Sequence, residues 1–357
     1  MPDLLLVGAG HAHLHVIAHA RDLVAVGYRV RVLAPRYFHY SGIASATAAG
    51  SLPRDAGRID VRALAAAHGV ELIEDTLIAL DPTRRIATTE RGALLDYDVI
   101  SLNIGSVADS GTMTVSDEVL RVKPLGDLAT LSGRLADLAD ARVTIVGAGS
   151  TGLDLAAHLA VRPGVALVRA LEAGQQIGAD LPPRARRRLV RLLDARGVQV
   201  DTDTAVSTVT ETYVRLRDTD HRTLHHDVVV LATGLIAPPL LAEMGVGDDR
   251  GVPVGATLQH VAHPDVSAVG DCAHFTPQPL ARIGVHGVRQ GPVLLASLLA
   301  RVHGKELPTY SPPRRSLAVL DLGAGVGLAV RGRRWWYGSG ALRLKRWIDR
   351  RWLRQYQ

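Results

Sequence analysis

The sequence predicts an α/β fold with two parallel-sheet domains and a small C-terminal segment. Three observations predict it. Val7-Gly8-Ala9-Gly10 recurs 139 residues later as Val146-Gly147-Ala148-Gly149. Each copy follows an apolar run, Leu4-Leu5-Leu6 or Val143-Thr144-Ile145, and precedes an Ala/Leu-rich stretch of helical period. Residues 97–105 and 228–234 are a second matched pair, each a buried-strand pattern running into a glycine turn. A strand, a Gly-x-Gly turn and a helix make the Rossmann-like dinucleotide grip. The chain is therefore read as two three-layer ββα/βαβ domains, one inserted in the other.

The elements follow in order. Residues 3–8 read as a strand, 11–26 as a helix and 29–34 as the next strand. Residues 70–100 hold short β-rich runs with turns at Asp81-Pro82 and Arg91-Gly92. Residues 125–141 read as helix. The second unit begins at Arg142, and its second strand covers about 166–171. A basic amphipathic helix is predicted over 184–196, a strand over 266–273 and a long helix over 282–301. Pro312-Pro313 marks a linker. The first domain is then 1–110 plus 231–308, the inserted one 111–230, and the C-terminal segment 309–357.

Composition narrows the chemistry. A hydrophobic fraction of 47% and 35 glycines suit an α/β enzyme rich in tight turns. The single cysteine, Cys272, excludes a disulfide framework, a cysteine-held metal cluster and a redox-active cysteine pair. No cationic leader precedes the first strand, and no apolar stretch reads as a membrane span, so a cytoplasmic protein is expected. Residues 331–357 carry nine Arg/Lys and one acid, which exceeds the whole chain's net +6. The basicity belongs to the tail, and no basic face for nucleic acid is predicted.

The two glycine turns share their physics. Gly8 and Gly147 make the strand-to-helix turn, and Gly10 and Gly149 let backbone approach a pyrophosphate. The helix N-terminus then presents free N–H groups to the phosphates. Gly147-Ala148-Gly149-Ser150-Thr151-Gly152 has all three glycines, and Glu172 follows at the end of the next strand. A carboxylate there accepts hydrogen bonds from a ribose and repels a 2′-phosphate, favouring NAD(H). In the first unit His13 replaces the third glycine, and Ala34-Pro35 stands where an acid is expected. Wider helix–strand spacing is expected there. Gly270-Asp271 restores the assignment, because an Asp at a strand end suits the ribityl hydroxyls of a flavin. Two grips in one chain suit hydride transfer between a nicotinamide and a flavin.

An ordered set of markers resembles the two-dinucleotide-domain flavoprotein superfamily, closest to its type II NADH dehydrogenase-like branch. That branch includes modules fused to selenophosphate synthetases. The markers are Gly8-Ala9-Gly10-His11-Ala12-His13, Tyr40-Ser41-Gly42, Gly147 to Asp154, Ala232-Thr233-Gly234, Val269 to Phe275, Val288 to Pro292 and Trp347 to Arg351. The resemblance implies FAD in the first domain and NADH in the second. Ala34, Pro35, Leu77, Asn103, Ile104 and Gly105 join the expected cofactor-binding set, as do Thr233 and Gly234. It implies that Asp154, where relatives carry Glu, lies near the nicotinamide amide. It also places Gly284 and Val285 near the flavin's pyrimidine edge. Quinone-reducing relatives carry Ala-Gln-x-x-x-Gln on the long helix. Here that stretch is Gly284-Val285-His286-Gly287-Val288-Arg289, and Gln290 comes one position late.

Several residues carry two readings. His11, His15 and His19 have i,i+4 spacing, but on a nucleotide-binding helix no metal is expected; His11 and His13 read as phosphate-edge or packing residues. Lys123, before Pro124 in the crossover, either leans over the flavin or is a solvated linker residue. Cys272 reads as a packing residue. In a helix at 341–354, Ala341, Leu344, Ile348 and Trp352 face one way and Arg343, Arg346, Arg350 and Arg354 the other. With Trp335-Trp336 before it, residues 335–357 form a peripheral membrane contact or dock on the body or on a second copy. The expected activity is FAD-dependent oxidation of NADH toward a small-molecule acceptor, with quinone one option. A soluble non-quinone acceptor and a redox-sensing role with little turnover are the alternatives.

Overall fold

The computed structural model describes all 357 residues. Two five-stranded parallel sheets organise them. The first runs Val266–Ala268, Val99–Leu102, Asp3–Val7, Arg29–Leu33, Glu71–Ile73. The second runs Leu120–Arg121, Val228–Leu231, Ala141–Val146, Val165–Leu171, Gln199–Asp201. Residues on both sides of the second sheet in sequence thus share the first. Leu4, Leu5 and Leu6 are fully buried, as befits a central strand covered on both faces. Each such side chain contributes about 1.5–3 kcal/mol of burial. Each sheet has its own apolar core.

Some elements depart from the sequence reading. The helix expected over 11–26 is two, His11–Ala18 and Ala20–Ala25, broken where His19 leaves helical geometry at φ −116°, ψ 16°. Residues 125–141 give only Leu125–Leu128 and Leu131–Arg134 before strand begins at Ala141. Gly126 and Gly133 weaken helix there, and Asp140 at φ 55° turns the chain. The strand at 266 stops at Ala268, because Gly270 at φ 72° opens a 3-10 turn, Gly270–Cys272.

The C-terminal segment is more built than a linker and a helix. Leu317–Asp321, Gly327–Arg331 and Arg334–Gly338 form an antiparallel sheet, followed by helix Ser339–Leu353. That helix docks on the protein's own body through Ala341, Leu342, Lys345, Asp349 and Trp352. Leu344 and Ile348 are only half-buried, which corrects the expected apolar face. Lys345 and Asp349 neutralise each other at 2.9 Å, so a face with two charges can be the buried one.

Candidate active site between two nucleotide cradles

The second cradle is built by close backbone approach. Gly147 has φ 102°, and a side chain there would strike the carbonyl of Ala232. A Cβ on Gly152 would collide with the carbonyl oxygen of Gly147, so this glycine sets how near the helix Ser150–Leu159 lies to its strand. Gly149, by contrast, faces open space. The helix starts without a side-chain cap or an acid in its first turn, leaving its N–H groups for an anion. This arrangement fits a dinucleotide pyrophosphate.

The first cradle uses the same turn with different support. Asn103 packs against both Gly8 and Gly10; its Oδ1 accepts from the His13 amide at 3.2 Å and its Nδ2 donates to Val269 O at 2.8 Å. The helix His11–Ala18 is also uncapped. His13 is fully buried, with Nδ1 2.6 Å from Gly8 O and Nε2 2.8 Å from Ser101 Oγ. Burial pushes its imidazole down to about 4, against the Gly8 hydrogen bond. A neutral buried ring is a packing residue, and the phosphate-edge reading of His13 is corrected. Ala12, Ala34 and Leu77 are likewise buried, so their side chains have no free surface to offer a ligand.

His11 sits between the cradle and the rest of the site. Burial and Lys123 push it down to about 4, against Asp271. Its ring packs among Phe38, Tyr40 and Trp352. Lys123 Nζ lies 3.6 Å from Asp271 Oδ2, which also accepts from Ser106 Oγ at 3.0 Å. Gly270 N donates to Gln290 Oε1 at 2.6 Å, and Arg282 donates to Asp271 O. The uncapped start of the long helix, Gly284–Val302, brings Gly284 within 3.6 Å of His11 and Ser41 side chains, measured from an ideal Cβ. Pro35 is exposed, and Ile104, Gly105 and Val285 are half-buried. Tyr40 and Asp349 join at 2.9 Å. Ser106 and Arg282 carry no signal in the sequence and Gln290 shows there only as a displaced glutamine, because folding alone brings them to the Asp271 turn.

A cavity of about 830 Å³ opens between the domains. Ser41 and Lys123 line one side; Gly147, Gly149, Ser150, Thr151, Asp154 and Glu172 line the other, with Thr233 and Gly234 between. Ser45, Asp180, Arg217 and the loop 109–113 also line it and carry no motif visible in sequence. Gly8, Gly10, Asn103, Gly270 and Asp271 lie outside it. Cys272 is buried, donates to the carbonyls of Leu102 and Val269, and is pushed up to about 11 by burial. It is an inert packing residue.

Glu172 is tied to the cradle itself. Its two oxygens accept from Ala148 N and Gly174 N, each at 2.9 Å. A carboxylate has about four acceptor positions, so two remain for a ribose. Glu172→Ala is expected to weaken NADH binding about 10–100-fold, at about 1.5–3 kcal/mol for bonds to a charged acceptor, and to narrow the gap to NADPH. Glu172→Gln, which keeps one acceptor, should lose less. Binding titrations with both nucleotides check this; a wild type that prefers NADPH refutes it.

Two uncapped glycine cradles, one of them lining the cleft, are the frame of a two-nucleotide oxidoreductase. The chain belongs to the pyridine nucleotide-disulphide oxidoreductase family, whose model matches residues 2–291. It is an FAD-dependent oxidoreductase that binds FAD and NAD(H). It is 28% identical over 264 residues to a nitric oxide reductase FlRd-NAD(+) reductase of Salmonella schwarzengrund, covering 69% of this chain and 68% of that protein. The fold matches NDH2 of Plasmodium falciparum in complex with NADH (TM-score 0.82, 11% identity, 99% and 96% covered). It also matches the ferredoxin reductase for the CYP199A2 system of Rhodopseudomonas palustris (TM-score 0.74, 20% identity, 93% and 88% covered). With one cysteine, this member has no redox disulfide of its own.

Proposed function

We propose that this protein oxidises NADH and passes the electrons, through FAD, to a protein electron carrier rather than to quinone. The orientation of the C-terminal helix carries this reading. Its Trp352 packs on the rings of Tyr40, His11 and Phe38, while Arg343, Arg346, Arg350, Arg351 and Arg354 face outward. A basic face suits an acidic protein surface and steers its approach. Gln290, the long helix's only glutamine, is buried and holds Gly270. The name of the Salmonella relative points the same way.

FAD supplies the hydride acceptor and converts a two-electron donor into single-electron steps. The chain's residues bind and orient. The amides of the second cradle and Glu172 hold the adenosine diphosphate end of NADH. Thr233 and Gly234 border the path to the other cradle. Lys123 and the start of the long helix place positive potential where negative charge develops. Asp154 stands where the nicotinamide amide is expected. No acid–base triad is required, because positioning dominates hydride transfer.

A quinone reading keeps one supporting observation: Trp347 and Trp336 are 55% and 40% exposed beside the arginines, as at a membrane interface. No helix is long and apolar enough to cross a membrane. Steady-state NADH oxidation with an acidic iron–sulfur carrier and with a water-soluble quinone analogue decides. The carrier is expected to be reduced faster, with kcat/KM falling about tenfold from low to high salt as charges are screened. Faster quinone reduction, or no salt dependence, overturns the proposal.

A further inference from the structure

The helix of the second cradle carries two titratable side chains, Asp154 at the cleft and His158 behind it, and the second lies outside the nucleotide site. Asp154 borders the cleft, and its Oδ1 is buried without a hydrogen-bonding partner. One turn on, His158 is 2% exposed, with Nδ1 3.1 Å from Ser51 Oγ and Nε2, which makes no hydrogen bond, 3.4 Å from Asp321 Oδ1. The i,i+4 spacing puts Asp154 and His158 on one helix face. Asp321 ends the strand Leu317–Asp321 and keeps 16% of its side chain in solvent.

We propose that Asp154, His158 and Asp321 form a proton path between the cleft and solvent. The reaction leaves a proton to move. A hydride is one proton with two electrons, so NADH and two oxidised one-electron carriers give NAD⁺, two reduced carriers and one H⁺. An acceptor that takes up protons itself reverses the direction of flow and keeps the path. Only the outward direction rests on the carrier reading. With a nicotinamide filling the cleft, direct access of water is closed, and the proton needs side chains.

Each group has a chemistry that suits its place. Burial holds the Asp154 carboxyl up at about 6, while His158 and Lys345 draw it down, Asp321 pushes it up and Ser45 draws it down. It therefore exchanges a proton near neutral pH. An imidazole can take a proton at one nitrogen and release it at the other. Burial raises Asp321, but His158, the Gly323 amide and Lys345 outweigh it, so the carboxylate stays below its ordinary value and remains ionised. The other charges packed here are committed. Lys345 donates to Asp349 and Gly42 O. Arg162 donates to the carbonyls of Ala49 and Ser132, and Arg196 to those of Ala157, Leu322 and Gly323.

The same contacts would serve as a plain structural staple, and the test separates the two roles. The holoenzyme is mixed anaerobically with NADH and excess ferricyanide, and proton release is followed with an indicator dye beside electron transfer. The two traces should coincide in the wild type. In His158→Ala the dye trace should lag at least tenfold, and added imidazole should restore it. His158→Gln, which keeps volume and hydrogen bonding, covers a failure of the alanine variant to fold and should lag as well. Infrared titration of the oxidised holoenzyme without NADH should show a carboxyl band, absent in Asp154→Asn, with a midpoint near pH 6. That midpoint should move upward in His158→Gln, because a neighbour that stabilises the ionised form is lost. Proton release in step with electrons in a folded His158 variant, or an unmoved midpoint, overturns the path. Ferricyanide takes electrons without docking, so failure of the carrier reading leaves this outcome intact.

Discussion

Lys345→Met is expected to lower stability by about 3–5 kcal/mol, the cost of stranding one member of a buried ion pair. Lys345 and Asp349 have side chains only 9% and 8% exposed. Without the ammonium, the Asp349 carboxylate keeps only the Tyr40 hydroxyl as a hydrogen-bond donor. The Gly42 carbonyl, beside Ser41 on the cleft, loses its donor too. Lys345→Met with Asp349→Leu should recover much of the loss, because two apolar groups in place of a pair leave no buried charge. Urea unfolding of the wild type and both variants measures this. A single variant as stable as the wild type would show that the pair is not a structural unit. The NADH KM should rise in Lys345→Met even where the protein is folded, since Ser41 lines the cavity.

Gly152→Ala should abolish NADH binding at ordinary concentrations, a loss of at least about 100-fold or 2.7 kcal/mol. The added methyl meets the Gly147 carbonyl oxygen, which belongs to the backbone and cannot swing aside. Either the helix Ser150–Leu159 withdraws from its strand or the glycine turn deforms, and both displace the amides meant for pyrophosphate. FAD binding to the first cradle should survive, because its sheet and core are separate. Isothermal titration with NADH, alongside the flavin absorbance of the same preparation, tests both halves. Normal NADH affinity in Gly152→Ala would remove the second cradle from the reaction.

The sequence carried both cradles because their constraint is local. Glycine turns, apolar strands and helix starts lie within about 25 residues of one another, and Glu172 follows at a fixed strand length. Compensation across distance was not legible. His13 fits where a third glycine was expected because Ser101, 88 residues away, receives its ring. Gln290 is a support for Gly270 rather than a ligand candidate because helix and turn meet only in the folded chain. The buried face of the C-terminal helix was misread because hydropathy ranks Leu344 and Ile348 above Lys345 and Asp349. Only the partner charges reverse that order. The antiparallel sheet before it did leave signals: short apolar runs over 317–320 and 328–330, with glycines at 323, 325 and 332.

The C-terminal segment touches both domains. The turn between its first two strands receives Arg196 at the carbonyls of Leu322 and Gly323, and Tyr337 lies under Arg188 at 4.2 Å. Its helix stacks Trp352 on Tyr40, with ring centroids 4.5 Å apart. The same segment completes both cores, giving Leu322, Leu328 and Val330 to that of the second sheet and Trp352 and Tyr356 to that of the first. A chain clipped at 316 would lose core residues from both domains at once, so proteolysis there would loosen the two grips together.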